Sequence, residues 1–316
     1  MRANLDVIVI GSGAIGLTSA LVLQAAGHRV RIWTRDEPAN TTSTVAAAFW
    51  YPFRVYPEDR VTAWARASFA DFDALTSTRE SGVVRRDALE LQATPGAPTW
   101  VAALPGFRPA RADEVPAGRA GVVFESFVIE TPLFVPWLHR RFLTQGGEIL
   151  RRSVDRVDEA LAAADAVIHC GGLGAREIAR DPAVYPVRGQ LVRLTNPGLA
   201  RVVVDEESGP ITYIVPRSGD VVLGGSTDEG QTDLTPDPAL TEAILARGRA
   251  LEPRLASAEV LGVRVGLRPC RPEVRLDVEV IDGRPLVHNY GHGGAGITLS
   301  WGCAREALAL LERSLG

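Results

Sequence analysis

The sequence contains no lysine; all 34 of its basic residues are arginine. A Schiff-base lysine, a pyridoxal anchor and the lysine of a P-loop are therefore excluded. Coding bias is the simplest source of that composition, with stabilisation by arginine a second. Histidine occurs only at His28, His139, His169, His288 and His292. Cysteine is limited to Cys170, Cys270 and Cys303. An odd, widely spaced set argues against a disulfide framework and against a zinc site, leaves a single bridge open, and suits a reducing cytoplasm. The net charge of −4 offers no basic footprint for nucleic acid or for an anionic membrane. No apolar run approaches the roughly 18 residues of a membrane span. The first strand begins almost at once, so no signal or transit peptide is expected, and the closing Arg-Ser-Leu-Gly is no recognisable address. With 316 residues, 46% of them apolar and 23% charged, one or two soluble globular domains are expected.

What is present is organised around DVIVIGSGAIGLTSALVLQAAGHRVRIW, residues 6–33. Asp6 to Ile10 reads as a buried parallel strand. Gly11, Gly13 and Gly16 then stand in a G-x-G-x-x-G that opens a helix stopped at Gly27, and Val30 to Trp33 reads as a second strand. This is a β-α-β unit with a dinucleotide fingerprint: Gly11 for the tight turn, Gly13 for backbone approach to a pyrophosphate, Gly16 for close helix–strand packing. The helix N-terminus supplies partial positive charge. A G-x-G-x-x-G alone is weak in a chain with 31 glycines; the strand before it and the helix and strand after it make it specific.

Arg35 and Asp36 follow the second strand, where an acid would bind a ribose and an arginine a 2′-phosphate, so the nucleotide is open at this point. In residues 40–53, Thr41, Thr42 and Ser43 suit phosphate or ring oxygens, and Ala46, Ala47 and Ala48 allow a flat ring near the backbone; an ordinary capped helical turn explains them equally well. Residues 58–79 have a helical apolar face with Glu58 and Asp59 in the first turn, and 82–129 read as short strands and loops. Residues 131–145 read as a helix with Thr131 as N-cap and Pro132 at its first position, followed by a strand from Glu148 to Val154.

The strand that ends at His169 and Cys170 places neighbouring side chains on opposite faces, so these two are core residues rather than a nucleophile and base, while Gly171 and Gly172 can lie beside a cofactor. From Gly189 to Gly225 the pattern predicts antiparallel strands with a turn at 217–220, and 236–253 a helix. Arg264, Arg268, Arg271 and Arg275 crowd the strand 263–280, which reads as a solvated edge strand, except that Arg268 sits in an apolar context and needs an anionic partner. Leu286 to Tyr290 is a strand, and GHGGAG presents a second helix N-terminus, suited to another region of negative charge. His288 and His292 are split by a glycine turn and read as structural.

GSGAIGLTSAL, TTSTVAAAFWYP, GLRPCRPEVRL and HNYGHGGAGITLSWGCA together resemble the D-amino-acid oxidase family of FAD enzymes, through most of the chain. The resemblance implies that Gly11, Ser12, Gly13, Ala14, Ile15 and Gly16 hold the FAD pyrophosphate, with Arg35 and Asp36 near the adenosine ribose. It implies that Thr41, Thr42, Ser43, Ala47 and Ala48 contact the pyrophosphate side and the isoalloxazine, and that Val154 and Gly172 approach the adenine half. Gly293, Gly294, Ala295, Gly296, Ile297 and Thr298 would line the flavin. Arg268 and Tyr213 would hold the substrate carboxylate, and the Gly294 carbonyl the amino group. The implied reaction is hydride transfer from the α-carbon of a D-amino acid to flavin N5. Dioxygen is reduced to hydrogen peroxide, and the imino acid gives a 2-oxo acid and ammonia.

The implied fold is α/β: a Rossmann-like FAD-binding domain (1–56, 130–185 and 286–316) interleaved with a β-rich α+β substrate domain (57–129 and 186–285). Small-molecule partners and no nucleic acid or membrane are expected, with a homodimer left open. The chain departs from eukaryotic members in the short stretch 205–210, which has no lid tyrosine, and at Tyr51 and Ala295 beside the pocket. Alternatives are a glycine- or sarcosine-type oxidase, a D-aspartate oxidase, an NADP-dependent reductase resting on Arg35, and a flavin-binding protein without turnover. Which of Arg54, Arg217 or Arg271 reaches the pocket would separate acidic from neutral substrates.

Overall fold

In the computed structural model, which describes residues 4–52, 54–96 and 104–316, the apolar run Asp6–Ile10 is strand β1, buried from Val7 onward. Helix α1 (Ala14–Ala25) buries Leu17, Ala20, Leu21 and Leu23 and ends before Gly27, whose φ of +91° only glycine adopts readily. Strand β2 (Arg29–Thr34) pairs parallel with β1, Asp6 opposite Arg29 and Ile10 opposite Trp33. The β-α-β unit is therefore as expected. Phe53, and residues 97–103 of the stretch expected to be short strands and loops, lie outside the described residues.

Helix α2 (Glu58–Leu75) buries Val61, Trp64, Ala65 and Phe72. Strands β3 (Val83–Gln92), β4 (Arg108–Pro109) and β5 (Ala120–Ile129) follow. The expected short strands are two long ones: β3 and β5 pair along their whole lengths, Val83 opposite Ile129 and Gln92 opposite Ala120. Helix α3 (Thr131–Thr144) has Glu130, not Thr131, at its N-cap position, without a side-chain cap, and Pro132 is its second residue. The Thr131 hydroxyl instead donates toward the Thr44 and Ala46 carbonyls (3.2 and 3.0 Å), tying the helix to the small-residue loop. Strand β6 (Glu148–Arg151), helix α4 (Val157–Leu161), strand β7 (Ala166–His169) and helix α5 (Ala175–Ile178) complete the N-terminal half.

Strands β8 (Tyr185–Leu194), β9 (Val202–Asp205), β10 (Thr212–Pro216) and β11 (Val221–Gly224) form antiparallel pairs, with the expected turn closed by Arg217 N–H to Asp220 O at 2.8 Å. Strand β12 (Asp228–Glu229) leads to helix α6 (Pro238–Leu251), where the Asp237 carboxylate caps Ala239 N–H at 2.8 Å. The long strand β13 (Val260–Ile281), strand β14 (Arg284–His292) and helix α7 (Gly296–Ser314) end the chain.

One mixed sheet runs β4-β5-β3-β9-β10-β11-β8-β13-β14-β7-β1-β2-β6, with β12 paired to β8. The five strands from β14 to β6 are mutually parallel. Strand β13 is not the expected edge strand: it is central, paired with β8 on one side and β14 on the other. Its charges are instead taken up by partners, Arg271 by Asp181 and Arg275 by Asp277 and Glu279. Helices α1 and α7 pack on one face of the parallel segment, joined where the Thr18 hydroxyl donates to the Ser300 carbonyl (3.1 Å). The carboxyl ends of β1 and β7 meet where Gly11 approaches Cys170, the position at which open α/β sheets bind ligands. Among the described residues no helix is long and apolar enough to cross a membrane.

Candidate active site

The first turn of α1 is a built cradle. A Cβ on Gly11 would lie 2.5 Å from the Cys170 carbonyl oxygen, and one on Gly16 only 1.9 Å from the Gly11 carbonyl oxygen, so neither position admits a side chain. Gly13 caps the helix without a side-chain partner, and no carboxylate stands in the first turn. Ser43 Oγ accepts the Ala14 N–H at 3.0 Å, which brings the Thr41–Ser43 turn over the helix end; Thr41 donates to the Pro38 carbonyl, and Thr42 is exposed. Ser12 is buried, bonded to the Thr34 hydroxyl (2.8 Å) and the Asp36 carbonyl (3.0 Å). Its hydroxyl thus fixes the rim rather than reaching outward. On that rim the exposed Arg35 and the half-buried Asp36 pair with each other at 2.8 Å. The arginine is already partnered by a carboxylate, which weakens a reading built on a 2′-phosphate. The Val154 side chain is buried in a core cluster with Trp33 and Leu161.

The second glycine turn lies against the first. A Cβ on Gly296 would stand 4.0 Å from Ile15 Cγ1, so the N-termini of α1 and α7 are neighbours. The first turn of α7 also lacks carboxylates and a side-chain cap. Gly293 has φ +54° and sits beside Cys270 Sγ; Gly294 is exposed; Ala295 and Ile297 are buried. The Thr298 hydroxyl accepts the Tyr51 N–H (3.1 Å) and donates to the Tyr51 carbonyl (3.0 Å), anchoring the Ala46–Tyr51 loop to this helix end. Gly172, φ +56°, lies against Pro269. Two uncapped helix ends, a backbone cradle and an alanine loop fit the pyrophosphate and the reducible ring of FAD.

Strand β13 carries the remaining element past these turns. Arg268 Nη1 donates to the Ser226 carbonyl at 2.9 Å and more weakly to that of Arg188 at 3.4 Å. Its guanidinium lies flat over Gly189, where a Cβ would meet Nη1 at 2.5 Å. The Tyr213 ring lies over Gly224 in the same way, a Cβ there falling 2.0 Å from Cζ. The Tyr213 hydroxyl lies beside Arg268: burial pushes its pKa up and the arginine draws it back. Among the described residues no carboxylate lies within ion-pair distance of the half-buried Arg268, which leaves its guanidinium available to an anionic ligand. Sequence reading did not single out Gly189 or Gly224; the signal was a glycine inside each strand, a mark of close approach.

The other candidate arginines are taken. Arg54 pairs with Glu206 (3.2 Å), Arg217 with Asp220 (2.6 Å) and Arg271 with Asp181 (3.0 Å). Cys170 and His169 face opposite sides as expected: the Cys170 thiol, pushed up to about 12 by burial, is inert, and the buried His169 is held down to about 3. His288 and His292 are likewise buried.

Residues 6–310 match the family described as FAD dependent oxidoreductase. The chain is 50% identical over 313 residues to a D-amino-acid oxidase of Rubrobacter xylanophilus, covering 98% of this chain and 96% of that one. It is 45% identical to a D-amino-acid oxidase of Streptomyces coelicolor, covering 96% of each. Among solved structures, glycine oxidase from Geobacillus kaustophilus superposes with a TM-score of 0.81 at 20% identity, over 98% of this chain and 95% of that one, a likeness of fold alone.

Proposed function

This chain belongs to the family of FAD dependent oxidoreductases, and from that premise we propose that it is a D-amino-acid oxidase whose Arg268 and Tyr213 hold the substrate carboxylate. The observation that carries the residue assignment is the guanidinium of Arg268, left without a carboxylate beside the second glycine turn. Its fork accepts a carboxylate in two bonds, and the Tyr213 hydroxyl adds a third. The Gly294 carbonyl then accepts from the substrate amino group. With carboxylate and amino group fixed, the α-hydrogen and the side chain are the two substituents that exchange places between enantiomers, so one configuration alone directs the hydrogen toward the ring. Bound FAD supplies the two-electron acceptor for that hydride and delivers the electrons to dioxygen as hydrogen peroxide. The protein's own work is to bind, orient and exclude water.

The same proposal divides the chain into a cofactor domain (1–56, 130–185 and 286–316) and a substrate domain (57–129 and 186–285). In support, the parallel strands β14, β7, β1, β2 and β6 come from the first set and both clamp residues from the second. A cytoplasmic enzyme is supported by three cysteines that are all free. Arg268→Ala tests the site. kcat/KM for D-alanine is expected to fall by roughly a hundredfold or more, the scale of an uncompensated charge pair, with FAD still bound. An unchanged KM and kcat in that variant would remove Arg268 from the site.

A further inference from the structure

We propose that the wall formed by Glu90 and Tyr51 selects D-amino acids with a cationic side chain, guanidinium or ammonium, by pairing that cation with the Glu90 carboxylate. The inference rests on the D-amino-acid oxidase reading and names a substrate class within it. Glu90 of β3 stands opposite Val204 of β9, which stands opposite Tyr213 of β10. Residues directly opposite share a face, and neighbouring strands are about 4.8 Å apart, so Glu90 and Tyr213 rise from one face roughly 10 Å apart. Ala88, Val202, Val204, Tyr213 and Val215 all enter the same core cluster, as that placement requires. An arginine side chain spans about 6 Å from α-carbon to guanidinium carbon. Clamped at Arg268 and Tyr213, it reaches the Glu90 carboxylate.

With Glu90 ionised, the wall has fewer hydrogen-bond donors than acceptors. The Tyr51 hydroxyl lies beside both Glu90 and Glu206 and carries a single hydrogen. Glu206 takes Arg54 as a second partner at 3.2 Å. Glu90 Oε2 is buried without any partner. Two residues along the same face, Gln92 is 6% exposed and its Oε1 is a second buried acceptor without a partner. A guanidinium or ammonium supplies the missing donors and charge. The wall is held at the site because Thr298, in the first turn of α7, pins the Tyr51 backbone, and Phe49 stacks on the Tyr51 ring at 5.4 Å. An acidic side chain would meet the opposite arrangement, with Arg54, Arg217 and Arg271 already paired.

The groups facing Glu90 are Tyr51, Glu206 and Glu207, and burial with these carboxylates raises it to about 7. The test compares D-arginine with D-citrulline, its uncharged near-isostere, by kcat/KM of the FAD-loaded enzyme. The wild type is expected to favour D-arginine by roughly tenfold or more, and Glu90→Gln to bring the ratio near one. A wild-type ratio near one, or one that Glu90→Gln leaves intact, overturns the inference. Should that variant not fold, the wild-type ratio is read against pH. Both substrates share the α-amino group, so the ratio isolates Glu90: it is expected to rise as the pH passes about 7, and a flat ratio overturns the inference. Oxidation of D-alanine with a Glu90-insensitive ratio defeats this inference alone. A wild type that oxidises no D-amino acid defeats the underlying reading, and this inference with it.

Discussion

Arg268 carries a charge that a ligand must neutralise, and two glycines make room for it and its partner. Gly224→Ala puts a methyl where the Tyr213 ring lies, so kcat/KM for D-alanine is expected to drop by roughly tenfold or more while FAD affinity holds, as titration of apoprotein would show. Lost FAD affinity with normal turnover of the loaded fraction would contradict this. Three buried histidines set the acid limit. Burial pushes His169 and His292 down to about 3 and lowers His288 from 6.5. The unfolded chain takes up protons that the folded one refuses, so their contribution is complete above 6.5 and is lost as the pH falls from there toward about 3. Glu90, raised to about 7, works in the opposite sense: its contribution is present below its ordinary value and is lost as the pH rises through about 7. Urea denaturation should therefore show stability falling from about pH 6.5 to about pH 5, more steeply in Glu90→Gln, and a flat profile would contradict it. At this scale Arg268 was legible because an arginine in an apolar run demands an anion. Glu90 was not, since in an alternating strand a glutamate reads as solvent-facing until its neighbours across the sheet are known.

Among the elements, α1 and α7 do the same work from opposite ends of the chain: each presents an N-terminus without carboxylates, and the two lie side by side. Gly16→Ala would drive a methyl into the Gly11 carbonyl and separate α1 from β1. FAD affinity is expected to weaken by at least about tenfold, with tryptophan fluorescence titration as the readout, whereas unchanged affinity would show that the close packing at Gly16 is not what shapes the cradle. The first helix was readable because strand, glycine turn and helix are contiguous. The four arginines of β13 resemble a solvated edge in the sequence alone. Arg271 is compensated by Asp181 beyond β7, remote in sequence, whereas Arg275 pairs within the strand with Asp277 and Glu279. Local pattern reports charge but not its compensation. Thr131 likewise has the local pattern of a cap, while its acceptors, the Thr44 and Ala46 carbonyls, are remote in sequence.

Across the molecule, one sheet carries both halves of the site. The central β13 joins the parallel cofactor segment at β14 to the antiparallel segment at β8, which places Arg268 between the glycine turns and the strand bearing Tyr213. The α/β class and a dinucleotide site were legible from one short motif and FAD only from the four-motif resemblance, while the strand order was not, because pairings such as Leu89 with Val203 join residues far apart in the chain. The central claim is oxidation of D-amino acids by the bound flavin. An anaerobic absorbance scan tests it most directly, with D-alanine, D-arginine, L-alanine or glycine added to separate samples of FAD-loaded protein. Loss of the flavin band, at about 450 nm, is expected with the D-amino acids, and its persistence with L-alanine. A band that no D-amino acid bleaches, or that L-alanine bleaches equally, would contradict it.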